Sequence, residues 1–174
     1  MVPHDQIFIL INSSTYGGGG VYNYYTASTI DNKYSPEVIV HEFGHGFAGL
    51  ADEYYTGETA YEDFYPLDVE PWEPNLTTRV NFEAKWKSMI SEGVPVPTPN
   101  DPRYSGKIGL FEGGGYMTKG IYRPAYDCRM NTLQEFTRKS KKRDGKKSST
   151  PYVINTFFRS FLGLLHLSYL ENRS

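Results

Sequence analysis

Ser35-Pro36-Glu37-Val38-Ile39-Val40-His41-Glu42-Phe43-Gly44-His45-Gly46-Phe47 is the stretch on which the fold turns. Ser35 suits an N-cap and Pro36 the first helical position, so a helix is expected over 36–48. Val38, Ile39, Phe43, Phe47 and Leu50 supply apolar residues to bury it. Within it His41 and His45 stand four apart, on one face, where both imidazoles can reach a single cation. A catalytic zinc takes three protein ligands and leaves one position for water. Glu42 follows the first histidine and can meet that water as general base. The pattern therefore implies metal-assisted hydrolysis of a peptide bond. A plain core helix with two satisfied histidines would leave Glu42 unexplained, because buried carboxylates need a partner.

Two histidines hold zinc poorly, so a third ligand is required. Gly49 is expected to end the helix in a left-handed turn, and the next oxygen donors are Asp52 and Glu53. Asp52 is the preferred ligand, with Glu53 as the alternative. His4 and His166 are remote in sequence, and nothing local recommends either. Gly44 and Gly46 each cost a helix about 1 kcal/mol against alanine, so they are expected to permit close packing or access to the metal. Cys128, the single cysteine, is a poor rival as nucleophile because it lacks a positioned base.

The 174 residues allow one domain, and 16% aromatic content, with 15 tyrosines, provides area for a core. The net charge of -2 hides an uneven distribution. Residues 1–137 hold 18 acids against nine Lys/Arg, whereas Arg138 to Lys147 holds seven Lys/Arg against one Asp. That run reads as a solvated basic linker over 138–150 rather than a nucleic-acid site. Val153 to Leu170 is rich in Phe and Leu, yet Asn155, Arg159, His166 and Ser168 interrupt it. A packed terminal helix over 151–174 fits better than a membrane span. No secretory signal is legible at Met1.

Gln6 to Asn12 is a continuous apolar run, expected as a strand buried on both faces. Gly17 to Gly20 suits a loop, or a place where another backbone comes close. Val21 to Ile30 is expected as the second strand and Phe82 to Ile90 as a second helix. Val94 to Pro102 is expected as extended loop, and Gly113-Gly114-Gly115-Tyr116 forms a further glycine cluster.

His41-Glu42-Phe43-Gly44-His45-Gly46-Phe47-Ala48-Gly49-Leu50-Ala51-Asp52-Glu53-Tyr54 closely resembles the active-site segment of the IgA-peptidase family of bacterial zinc metallopeptidases. Phe111 to Tyr116, Tyr122 to Met130 and Pro66 to Pro74 look like the same family, so the resemblance spans about Ile7 to Met130. It implies an α+β, zincin-type catalytic domain over 1–137, a small mixed sheet with an active-site helix of metzincin-like build. It also implies a Zn2+ cofactor on His41, His45 and Asp52 (or Glu53), Glu42 as general base, and Met130 as an apolar floor beneath the metal. The usual metzincin spacing would put the third ligand at Ala51, which cannot bind zinc. A protein or peptide substrate would lie extended along an edge strand, Tyr22 to Ala27 being the candidate. Gly17 to Gly20 and Gly113 to Tyr116 are candidate cleft walls, and Tyr122 or Tyr126 could donate to the oxyanion. Secretion or surface display follows from the resemblance alone. The family usually carries further strands before Ile7, so the chain is expected to be an incomplete catalytic domain. The rival expectation is an inactive zinc-binding or adhesion remnant.

Overall fold

The computed structural model describes residues 4–55 and 61–133. The basic run and the Phe/Leu-rich tail lie outside the described residues. Strand β1 (Ile7–Ile11) pairs in parallel with β3 (Tyr25–Thr29), and β2 (Gly18–Val21) runs antiparallel along the other side of β3. The result is a three-stranded mixed sheet of order β1-β3-β2. Helix α1 (Ser35–Ala48) packs on β2 and β3.

Two expectations fail here. The second strand is a hairpin: β2 turns through Tyr22 to Tyr24 into β3, with Asn23 at positive φ. Gly18 to Gly20 are therefore strand and not loop, while the expected close approach of another backbone holds. A Cβ at Gly20 would collide with the Glu42 carbonyl and lie 2.7 Å from the His45 Cβ. The second failure is β1, which is exposed along its whole length, with Leu10 at 58%. Its apolar run supplied the material for burial, but in this sheet it is an edge, with Phe8 stacked on Phe43 of α1.

Helix α1 begins one residue earlier than expected. Tyr34 takes the N-cap position, and the Ser35 hydroxyl instead accepts from the Asn32 amide. Pro36 sits in the first turn as expected. At the other end Gly49, with φ 63°, donates to His45 O while Leu50 donates to Gly44 O, so the last carbonyls are satisfied by a left-handed cap.

Beyond the site loop, β4 (Phe111–Gly114) and β5 (Met117–Arg123) form a bulged hairpin. The expected helix over 82–90 is two short 3₁₀ turns, Phe82–Ala84 and Lys87–Met89. Their Phe82 and Trp86 pack with Leu110, and the Trp86 indole N–H donates to Gly109 O. Ala51, Leu76, Met117 and Ile121 form a second cluster. Ala48, Leu50 and Met130 form a third. Buried Arg123 binds the carbonyls of Glu112, Gly113 and Tyr126, fixing the hairpin to the chain that leads into Met130. Among the described residues no helix is long and apolar enough to cross a membrane.

Candidate metal centre

The helix delivers both imidazoles to one point. The His41 and His45 rings meet edge to face with centroids 4.7 Å apart, and their Nε2 atoms are 3.1 Å apart. Each ring is oriented by its other nitrogen, His41 Nδ1 on Arg129 O at 2.9 Å and His45 Nδ1 on Leu50 O at 2.6 Å. With Nδ1–H donating to those carbonyls, both Nε2 lone pairs face the same space.

Asp52 closes the triangle. Its Oδ1 lies 3.0 Å from His41 Nε2 and 3.2 Å from His45 Nε2. Ligand atoms about 2.0–2.1 Å from a tetrahedral zinc stand roughly 3.3 Å apart, so the three edges fit that ion. Asp52 Oδ1 is buried and accepts no hydrogen bond, so the convergence of three lone-pair atoms calls for a proton or a cation. Asp52 Oδ2 accepts from the hydroxyls of Tyr54, at 3.0 Å, and Tyr116. Burial alone would raise the Asp52 pKa, but the two histidines beside it and the Tyr116 hydroxyl hold it well below the usual carboxylate range. Burial likewise opposes charge on His45, yet the neighbouring Asp52 carboxylate, with the Leu50 carbonyl, leaves its pKa raised.

Glu53 points the other way. It is 1% exposed, and its carboxylate accepts from Asn75 Nδ2 at 3.0 Å and Cys128 Sγ at 3.1 Å. Of the two candidate oxygen donors, only Asp52 presents an oxygen to the imidazoles. Met130 lies under the helix: a Cβ at Gly44 would fall 2.7 Å from its Sδ. Gly46 gives the same clearance to Thr26 and Gln6 on the sheet side. Both helical glycines thus serve close packing.

The Glu42 carboxylate and the ligand nitrogens of His41 and His45 all lie within 4.8 Å of one another. Burial raises the Glu42 pKa and the Asp52 charge adds to this, against the pull of the two histidines. Glu42 faces a cleft of about 520 Å3 whose walls include Tyr16, Gly17, Gly18 and Leu133. A second opening of about 240 Å3 lies beside His45 and Asp52, ringed by Tyr22, Phe64, Tyr65, Trp72 and Tyr116. The strand edge at the site is therefore β2, not Tyr22 to Ala27, since β3 is the central strand. Tyr122 and Tyr126 are elsewhere: Tyr122 packs against the Trp86 cluster and Tyr126 meets Phe111 edge to face. Sequence reasoning named Tyr116 only as part of a cleft wall, which it is, and missed Tyr16, Tyr54 and Asn75; in so tyrosine-rich a chain only tertiary position separates site tyrosines from packing ones. Cys128 is a half-buried thiol whose pKa is pushed up by desolvation and by Glu53, which disfavours the thiolate that a nucleophile needs.

A family model described as IgA Peptidase M64 matches residues 1–103. No curated protein matches the chain. The matched stretch contains the helix, both histidines, Glu42 and Asp52, and it ends before the hairpin and Met130. The chain belongs to the IgA peptidase M64 family, and peptidase is its general class of activity.

Proposed function

We propose that this member of the IgA peptidase family is a zinc-dependent endopeptidase of metzincin-like build, with His41, His45 and Asp52 as ligands and Glu42 as general base. The observation that carries it is the triangle of two Nε2 atoms and Asp52 Oδ1, with edges of 3.0–3.2 Å and a carboxylate oxygen that no donor satisfies. A zinc ion held there would supply Lewis acidity toward a water and toward the scissile carbonyl. The chain itself supplies the rest. Glu42, beside the ligand pair and with a raised pKa, takes the proton of the attacking water and returns it to the leaving amine. Tyr54 and Tyr116 hold Asp52 Oδ2, leaving Oδ1 to face the histidines. A peptide in extended form pairs with the open edge of β2, along the cleft wall formed by Gly17 and Gly18.

Substitution Glu42→Gln tests the central step. Zinc content by metal analysis should remain that of the wild type, while chelator-sensitive cleavage of a quenched peptide library should fall by about 100-fold or more. Full activity in the variant removes Glu42 from the mechanism. A wild-type protein that binds zinc yet cleaves nothing favours the non-catalytic remnant.

A further inference from the structure

The backbone that carries the Asp52 side chain is hydrogen-bonded at Ala51, Asp52 and Glu53. The Ala51 N–H donates to Asn75 Oδ1 at 2.8 Å, and Asn75 Nδ2 donates back to Ala51 O at 2.9 Å. The Asp52 carbonyl accepts from Gly115, and the Glu53 N–H donates to Met130 O at 2.8 Å. The Glu53 carboxylate completes the frame, taking Asn75 on one oxygen and Cys128 on the other. The same turn, Cys128 to Met130, also supplies the Arg129 carbonyl that orients His41.

We propose that Glu53 is a positioning residue for Asp52, its buried carboxylate clamping the ligand-bearing segment between Asn75 and the Cys128–Met130 turn. The proposal rests on Asp52 being a zinc ligand. A carboxylate suits this role because each of its oxygens accepts from a different donor. Glutamine at the same place keeps one acceptor but turns an N–H toward sulfur, a weak acceptor. Glu53 makes no ion pair within salt-bridge distance among the described residues, and Asn75 and Cys128 are both neutral donors. The clamp is a hydrogen-bonded frame that joins three separate segments, Ala51–Glu53, Asn75 and Cys128–Met130, next to the ligand pair.

The test uses the full chain with Zn2+ or Co2+ as the only ligand, so it does not depend on cleavage. Glu53→Gln and Cys128→Ala should each weaken zinc binding by about 10- to 100-fold and shift the visible absorption of the cobalt form. Cys128→Ser, whose hydroxyl can donate to the same oxygen, should restore both. Thermal unfolding of the metal-free variants shows whether they fold. If Glu53→Gln does not fold, the Cys128 pair alone decides. Wild-type affinity and spectrum in the Glu53→Gln and Cys128→Ala variants overturn the clamp, as does a Cys128→Ser variant no better than alanine. Asp52→Ala is the separate control: if it keeps its metal, the ligand assignment fails, not the clamp.

Discussion

The apolar run of β1 and the acidic pair Asp52-Glu53 have exchanged the places that their composition suggests. Five consecutive aliphatic and aromatic residues, Ile7–Ile11, stand 39–58% exposed, whereas two adjacent carboxylates are at least nine-tenths buried. Hydrophobicity states what a segment gains by burial, about 25 cal/mol per Å2 of apolar surface. Whether the gain is realised depends on what lies opposite. Helix α1 covers β2 and β3, and β1 stays at the margin. Three of their four oxygens find donors, tyrosine hydroxyls for Asp52 Oδ2 and an amide and a thiol for Glu53, while Asp52 Oδ1 faces the two imidazoles. Satisfied polar groups tolerate burial that unsatisfied ones do not.

That contrast can be broken from either side. The largest expected effect is Asp52→Ala, which removes one of the three proposed ligands. Its loss of zinc affinity, measured by competition with a chromogenic chelator, should exceed the roughly 100-fold limit typical of outer partners. Next comes metal itself. If the triangle binds zinc only when folded, free zinc at about 100 times its dissociation constant should stabilise the protein by about 2.7 kcal/mol. Unfolding in urea with and without zinc reads this directly, and no change would deny a folded-state site. Smaller again is Gly20→Ala. Its methyl would press on the Glu42 carbonyl and the His45 Cβ, so a stability loss of about 1–3 kcal/mol is expected in the same assay. The smallest is Leu10→Lys on β1. With the side chain 58% exposed, the change in stability should stay within about 0.5 kcal/mol. A loss of several kcal/mol would mean that this strand is covered in solution.

The strands illustrate where sequence reading stopped. Val21 to Ile30 reads as one strand because β-branched and aromatic residues dominate it, yet Asn23 at positive φ turns the chain back and enlists the glycines before it. Nothing in four successive glycines announces a strand; the helix that needs their narrow profile lies twenty residues further on. The segment 82–90 has the aromatic spacing of a helix, but Trp86 is anchored to Gly109 O and the chain settles into two 3₁₀ turns.

By itself the sequence determined the helix, its glycine stop and the meeting of His41 with His45, because a 3.6-residue period and a left-handed cap are local consequences of local residues. For the third oxygen donor it preferred Asp52 and kept Glu53 as the alternative. The tertiary structure turns Asp52 toward the imidazoles and Glu53 away through Asn75, Tyr116 and Cys128, which lie 22 to 75 residues away. Which of two neighbouring carboxylates faces the imidazoles is decided by the donors that capture the other one. Those donors arrive only when distant segments pack.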